Sequence, residues 1–432
     1  MRQQIALQLV LGGLAWSMPT VSNLAARQDA IPEYVLDYAP LCWLDTKEAY
    51  WPSSLDTHLE NTYAAINATK LTSAPSPLTL ANLDALNASG NGGVDTYLTS
   101  DQGIDASPIP TWLSGVKPDS SGAAPGAVVI IADKGSGTVD VFYFYFYSYN
   151  QGTWVLGLEA LELGDHVGDW EHNMIRFVNG EPSAMYFSQH SSGQAFTFSV
   201  LDKDSSTGRP INFPARGTHA NYPTAGQHDH TIAGLDLPVG ALLDYTSEGT
   251  LWDPLSQALY YTYNVTTSTF YSPTNDPTGF LPFTGHWGDE QLPDSNSNQL
   301  NVLGFRKYVD GPTGPAAKNL NRSQVCESTT AFAALALHVF WAIGHAGLGV
   351  LGIKLWGRVL VELGYWGTQM VKLWTDPQRG TGSRVAVLVQ PAAAAMKTQR
   401  GMHPYRDMLV GAEQLIVDGV GRQMADKMLS LG

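Results

Sequence analysis

The sequence predicts a mainly β fold, an antiparallel β-sandwich-like body with long loops followed by a helical C-terminal extension, and three observations predict it. Only 15% of the 432 residues are charged while Gly (43), Tyr (19) and Trp (12) are plentiful, a profile that suits turn-rich sheet better than helix. Val139 to Tyr149 alternates with period two, with Phe142, Phe144 and Phe146 on one face and Tyr143, Tyr145, Tyr147 and Tyr149 on the other. Short apolar runs follow around 170–178, 184–189, 195–201, 239–245 and 258–263, divided by Gly, Pro, Asn and Asp turns, with no long helical pattern between them.

Taken in chain order, residues 1–22 read as a secretory signal peptide. Arg2 supplies the positive charge, Ile5 to Trp16 is an apolar run too short to cross a bilayer, and Pro19 precedes the small residues Thr20 and Ser22. An uncleaved anchor is the alternative. Residues 34–327 form the β-rich body. It opens on an aromatic patch (Tyr34, Tyr38, Trp43, Tyr50, Trp51), continues through a short helix within 57–88, and carries a Gly-, Pro- and Ser-rich loop over 101–127. Strand signal becomes strong from Ala127, and the simplest reading of the aromatic strand puts Phe inside and Tyr along a cleft or surface.

Composition changes near Ser328. Residues 328–353 hold no Asp, Glu, Lys or Arg, and the apolar stretch 331–353 is long enough either to span a bilayer or to pack as a buried helix. The tail, residues 354–432, reads as helical or disordered. It carries ten basic against six acidic residues, so the net −15 of the whole chain leaves −19 on residues 1–353. Basic residues after the apolar run would put the body on the lumenal side if the run spans. Membrane association through 331–353 is therefore expected as one arrangement.

An acidic body excludes nucleic acid and anionic lipid surfaces as partners and fits cations or neutral glycans. Cys42 and Cys326 lie near the two ends of the body, where a disulfide would tie them together. Asn67, Asn87, Asn264 and Asn321 each begin an Asn-x-Ser/Thr sequon. Together these features place the chain in the secretory pathway, as a secreted, vacuolar or membrane-anchored protein with a lumenal body.

The chemistry-bearing string is Gly164-Asp-His166-Val-Gly-Asp169-Trp-Glu171-His172. On a strand, Asp169, Glu171 and Asn173 share one face while Trp170, His172 and Met174 share the other. Two carboxylates side by side repel, and burying both without a cation or a shared proton is unfavourable by several kcal/mol. His166 supplies a nitrogen donor from the preceding turn. One His and two carboxylates suit Mg²⁺, Ca²⁺ or Mn²⁺, so His166, Asp169 and Glu171 are the candidate metal ligands. His190, His219, His228 and His230 follow in or near Gly-rich loops, where catalytic groups tend to lie. The chain has no Gly-x-Ser-x-Gly elbow, no His-Glu-x-x-His and no phosphate-binding Gly loop.

His166-Val-Gly-Asp169-Trp-Glu171-His172 occurs with Ser188-Gln-His190, Ala215-Arg-Gly-Thr-His219-Ala-Asn-Tyr-Pro223 and Gly285-His-Trp-Gly-Asp289. This set resembles the vacuolar protein sorting-associated protein 62 family over roughly Tyr34 to Lys307, and Tyr38-Ala-Pro with Trp43-Leu44 through Tyr50-Trp-Pro52 resembles its fungal members. The resemblance implies a link to vacuolar delivery and no particular reaction. A more distant likeness is to necrosis- and ethylene-inducing peptide-like proteins. Their Gly-His-Arg-His-Asp-Trp-Glu motif holds a divalent cation through its first His, its Asp and its Glu inside an aromatic-rich β-sandwich. His166, Asp169 and Glu171 match that spacing, and Gly168 stands where those proteins carry the second His.

Three functions follow as expectations. The first is a binding module that uses a divalent cation and an aromatic cleft to hold a glycan, a lipid headgroup or a small molecule. The second is a metal-dependent hydrolase of a glycan, ester or small metabolite, with bound metal activating water and Glu171, His190 or His219 as general base. The third is a vacuolar-sorting or pathway accessory factor. Asp169 and Glu171 on one strand lie side by side, unlike glycosidase carboxylates facing each other across a bond. With no complete nucleophile, base and orienting group in sight, binding or accessory action is favoured over catalysis.

Overall fold

The structure is a computed structural model, and it describes residues 31–326 other than 156, 157, 159, 160, 231–241 and 303. The signal peptide, the apolar stretch 331–353 and the tail therefore lie outside the described residues. Among those described, no helix is long and apolar enough to cross a membrane.

The chain runs through α1 (Glu33–Asp37), β1 (Leu41–Leu44), α2 (Leu55–Glu60), β2 (Thr62–Ile66), β3 (Thr69–Lys70), β4 (Tyr97–Ser100), β5 (Ala127–Asp133), β6 (Thr138–Asn150), β7 (Thr153–Trp154) and β8 (Glu162–Leu163). It continues through β9 (His166–Val178), β10 (Glu181–Gln189), β11 (Ser192–Thr197), β12 (Ile211–Pro214), β13 (Asn221–Tyr222), β14 (Gly226–Asp229), β15 (Leu243–Thr246), β16 (Thr250–Trp252), β17 (Leu259–Asn264) and β18 (Thr269–Tyr271). The short helix expected within 57–88 is met only at its start, where α2 overlaps it over residues 57–60, with N-cap Ser54 accepting the Thr57 amide; Tyr63 and Ile66 lie in strand rather than helix.

A seven-stranded sheet in the order β11-β10-β9-β6-β5-β17-β18 is the spine, and a four-stranded sheet in the order β13-β12-β1-β16 accompanies it. Neither is wholly antiparallel. β17 runs parallel to β5, and β12 parallel to β1. The long connections before β17 and β12 permit this, because parallel neighbours need a crossover rather than a hairpin. The mainly β, sandwich-like class holds.

Both faces of β6 are buried. Phe142, Phe144 and Phe146 pack with Val128, Ile130, Trp170, Met174 and Trp287 on one side, and burying each such ring stabilises the fold by about 1.5–3 kcal/mol. Tyr143, Tyr145 and Tyr147 face Cys42, Leu44 and Trp252 of the four-stranded sheet. The tyrosines thus line neither cleft nor surface, contrary to the sequence reading. Two of the hydroxyls are bonded inside, Tyr143 donating to the Val35 carbonyl at 2.7 Å and Tyr145 to Asn173 Oδ1 at 2.8 Å. The disulfide expectation is also corrected, since both cysteines are free thiols. Cys42 belongs to the core on the tyrosine face and Cys326 packs against the core on the phenylalanine face, so the central sheet separates them.

Candidate functional site

The β6–β9 register sets Asp169 opposite Tyr147 and Glu171 opposite Tyr145, which directs both carboxylates onto the tyrosine face. Trp170 and Met174 pack in the opposite core. β9 begins at a pinned point. Gly168 has φ +67°, and a Cβ there would sit 2.0 Å from the Trp287 carbonyl oxygen. No side chain fits, so this protein has no equivalent of a second motif histidine. The Gly285–Asp289 string is thereby explained as support. Trp287 presses its backbone on Gly168 while its carbonyl accepts from His58 Nε2 at 2.9 Å, and Asp289 accepts from Ser100.

His166 donates from Nδ1 to the Gly168 carbonyl at 2.7 Å, which fixes its tautomer and leaves Nε2 as the acceptor nitrogen. Burial holds its pKa down, against the pull of Asp169. His219 is wholly buried and stacks flat on Tyr147, with centroids 3.6 Å apart. Its Nδ1 faces Asp169 Oδ2 at 2.9 Å and its Nε2 faces the Tyr50 carbonyl at 3.0 Å. Burial pulls this imidazole down, but Asp169, Glu48 and the Tyr50 carbonyl outweigh it and leave the pKa raised. Two acceptors on two nitrogens describe an imidazolium whose both protons are committed. Such a group holds Asp169 in place and has no lone pair to act as a base.

Glu171 lacks a comparable partner. Its Oε2 accepts a short hydrogen bond from the Ser188 hydroxyl, which in turn accepts from the His172 amide at 2.8 Å and the Asn221 side chain at 3.2 Å. Burial, with Asp169 alongside, pushes the Glu171 carboxyl up to about 7, against the opposing pull of Lys318 and His190. Among the described residues no hydrogen bond engages His166 Nε2, Asp169 Oδ1 or Glu171 Oε1. The Tyr147 hydroxyl, buried beside these acids, also has no partner among them.

His190 belongs to an adjoining centre. Its Nε2 meets Asp244 Oδ2 at 2.8 Å, and its ring stacks on His230 with centroids 3.9 Å apart. Thr218 and Tyr222 donate hydroxyl bonds to the same carboxylate at 2.7 and 2.8 Å. Of the predicted residues, then, His166, Asp169, Glu171 and His219 gather at one centre and His190 at its neighbour. Among the described residues the one set of His, Cys, Asp and Glu donors all within 4.8 Å of one another is His190, His230 and Asp244. His166, Asp169 and Glu171 are not drawn in as tightly, because Asp169 turns toward His219 and Glu171 toward Ser188. Sequence reasoning passed over Glu48, Ser188, Asp244 and Lys318. Only Ser188 stood in a recognised motif; nothing in local pattern marks the others.

The sequence profile described as Vacuolar protein sorting-associated protein 62 matches residues 14–303. The chain belongs to the vacuolar protein sorting-associated protein 62 family. Relatives of this family member in Saccharomyces cerevisiae include "Putative vacuolar protein sorting-associated protein TDA6", 37% identical over 327 residues that cover 68% of each chain. Another is "Vacuolar protein sorting-associated protein 62", 34% identical over 338 residues, 71% of this chain and 70% of that one. Among solved structures, the family member superposes on the crystal structure of Necrosis and Ethylene inducing Protein 2 from the causal agent of cocoa's Witches Broom disease. The TM-score is 0.22 at 9% identity, over 45% of this chain and 68% of that one, too low to establish a shared fold.

Proposed function

We propose that the chain serves a vacuolar-sorting-related role in the secretory pathway as a binding protein. Its buried centre of His166, Asp169 and Glu171 takes a divalent cation, Mg²⁺, Ca²⁺ or Mn²⁺, through which a glycan or lipid headgroup is held. The yeast relatives supply the pathway link by their names. The observation that carries the cation is a charge imbalance. Asp169 and Glu171 lie side by side and buried, and the buried imidazole of His219 is committed to Asp169. Glu171 has a hydroxyl and only the unbonded cations Lys318 and His190, whose pull burial and Asp169 outweigh. A buried carboxylate in that position takes up either a proton or a cation. The unengaged Nε2 of His166, whose other nitrogen is fixed by a backbone carbonyl, has the orientation expected of a ligating histidine.

The test is the melting temperature of chelator-treated protein at pH 8 with Mg²⁺, Ca²⁺ or Mn²⁺ added singly. We expect one of these to raise the wild-type midpoint and to leave Glu171→Gln and Asp169→Asn unmoved. Equal responses of wild type and both variants, or no response from any, would leave the proton as the compensating charge and remove the cation.

A further inference from the structure

We propose that His190, His230 and Asp244 form a second and distinct metal site, built for an ion of the zinc class rather than for a hard cation. The site goes beyond the function proposed above and uses none of the three ligands named there. Its donor set is the first argument. Two imidazoles and one carboxylate make a borderline ligand set, the kind found with Zn²⁺ and its first-row neighbours, where oxygen-only sets suit Ca²⁺ and Mg²⁺.

Geometry is the second argument. Both Nε2 atoms lie beside one carboxylate, His190 Nε2 bonded to Asp244 Oδ2 at 2.8 Å and His230 Nε2, bonded to Thr153 Oγ1, 3.7 Å from Asp244 Oδ1. In a tetrahedral zinc site with bonds of 2.0–2.1 Å, neighbouring donors lie about 3.3 Å apart, a value that these two separations bracket. Small rotations of the two rings would therefore admit an ion among donors already within 4.8 Å of one another.

Support around the ligands is the third. Asp244 is buried, and the Thr218 and Tyr222 hydroxyls fix its orientation at 2.7 and 2.8 Å, as the outer partners of ligating carboxylates do. Thr153 Oγ1 is hydrogen-bonded to His230 Nε2 at 3.1 Å; an ion would take over that nitrogen and leave the hydroxyl to bond a water completing the shell. The His190 side chain is 30% exposed, which gives an ion a path in from solvent.

The experiment uses the full chain, stripped with a chelator and titrated with Zn²⁺ by calorimetry, with Co²⁺ absorption as a second signal. We expect one equivalent of Zn²⁺ to bind the wild type. His230→Ala, His230→Gln and His190→Ala should each weaken it by at least about a hundredfold, since loss of even an outer partner weakens metal sites by 10–100-fold. Glu171→Gln should retain it within about threefold. His230 lies at the rim and its Gln variant keeps a polar group beside Thr153, so a folded comparator is at hand if His190→Ala does not fold. Absence of Zn²⁺ binding by the wild type would overturn the proposal. So would binding that survives both His230 variants, or binding lost in Glu171→Gln and kept in His230→Ala, which would put the ion on the neighbouring centre.

Discussion

Glu171→Gln should make the cation-free protein more stable above pH 7 and leave it unchanged near pH 4. In the folded chain the Glu171 carboxyl is pushed up to about 7 from an ordinary 4.5, by burial first and Asp169 second. Between those values the folded state keeps a proton that the unfolded chain has released. Stability from this group is therefore complete below pH 4.5 and is lost as pH rises through 7. Roughly 2.5 units at 1.36 kcal/mol each come to about 3 kcal/mol, or roughly 6 °C in melting midpoint for a domain of this size. Gln removes the charge while its amide oxygen still accepts the Ser188 hydroxyl. His58 works in the opposite direction. Burial holds its imidazole down at about 3, so its contribution is present above 6.5 and is lost as pH falls. Both proteins carry His58, so the difference between their pH–stability curves, from denaturant titrations in the presence of chelator, isolates Glu171. Parallel curves from pH 4 to 8.5 would refute the reasoning.

Other outcomes follow from the same geometry. His219→Ala removes the one imidazolium bonded to Asp169 and strips the stacked face of Tyr147, so a loss of about 3–5 kcal/mol is expected in urea unfolding. Gly168→Ala forces a Cβ to 2.0 Å from the Trp287 carbonyl oxygen at φ +67°, which should lower stability by roughly 3 kcal/mol or more, measured the same way. Of the sequons, exposed Asn67 and Asn264 should carry glycan, whereas Asn87 should not. The Asn87 side-chain nitrogen is committed to the Pro282 carbonyl at 2.8 Å, and peptide mass spectrometry after enzymatic deglycosylation reads the difference.

Much of the body was legible because period-two patterning is a local signal. β5, β6, β9, β10 and β17 fall where alternating or apolar runs were read, within a few residues. The run at 195–201 is strand only as far as Thr197 and then turns into a 3₁₀ segment at Phe198–Val200, a change no alternation encodes. What sequence could not supply was the second layer. Nothing local to Val139–Tyr149 says that β1 and β16 will cover the tyrosines, so half of that strand was misassigned to a cleft or surface. The same holds for the sites. Asp169 and Glu171 announce themselves by spacing, but the partners that decide their charge state, His219 at a separation of 50 residues from Asp169 and Ser188 at 17 from Glu171, are chosen by tertiary packing.

The two centres share their supports, and this bears on whether they act separately. Ser188 bonds Glu171, and two residues later His190 bonds Asp244. Thr218 bonds Asp244, and the next residue, His219, bonds Asp169. Each of these motifs thus delivers one side chain to either centre. His190 and His219 both hold left-handed backbone angles, φ +54° and φ +55°, which ordinary side chains seldom adopt and which disfavour each position by about 1–2 kcal/mol. The turns account for both angles: His190 is the first residue of the two-residue β10–β11 hairpin, and His219 lies in the turn closed by the Ala215 amide on the Ala220 carbonyl. Under this arrangement the charge of one centre is felt at the other, and His190 already acts on the Glu171 carboxyl. A double-mutant cycle makes the point measurable. Glu171→Gln combined with His190→Gln should depart from additivity in unfolding free energy by more than about 0.5 kcal/mol, the limit usual for independent sites. Additive values would mean two unconnected centres that happen to be neighbours, and the common origin of Ser188 with His190 and of Thr218 with His219 would then reflect packing alone.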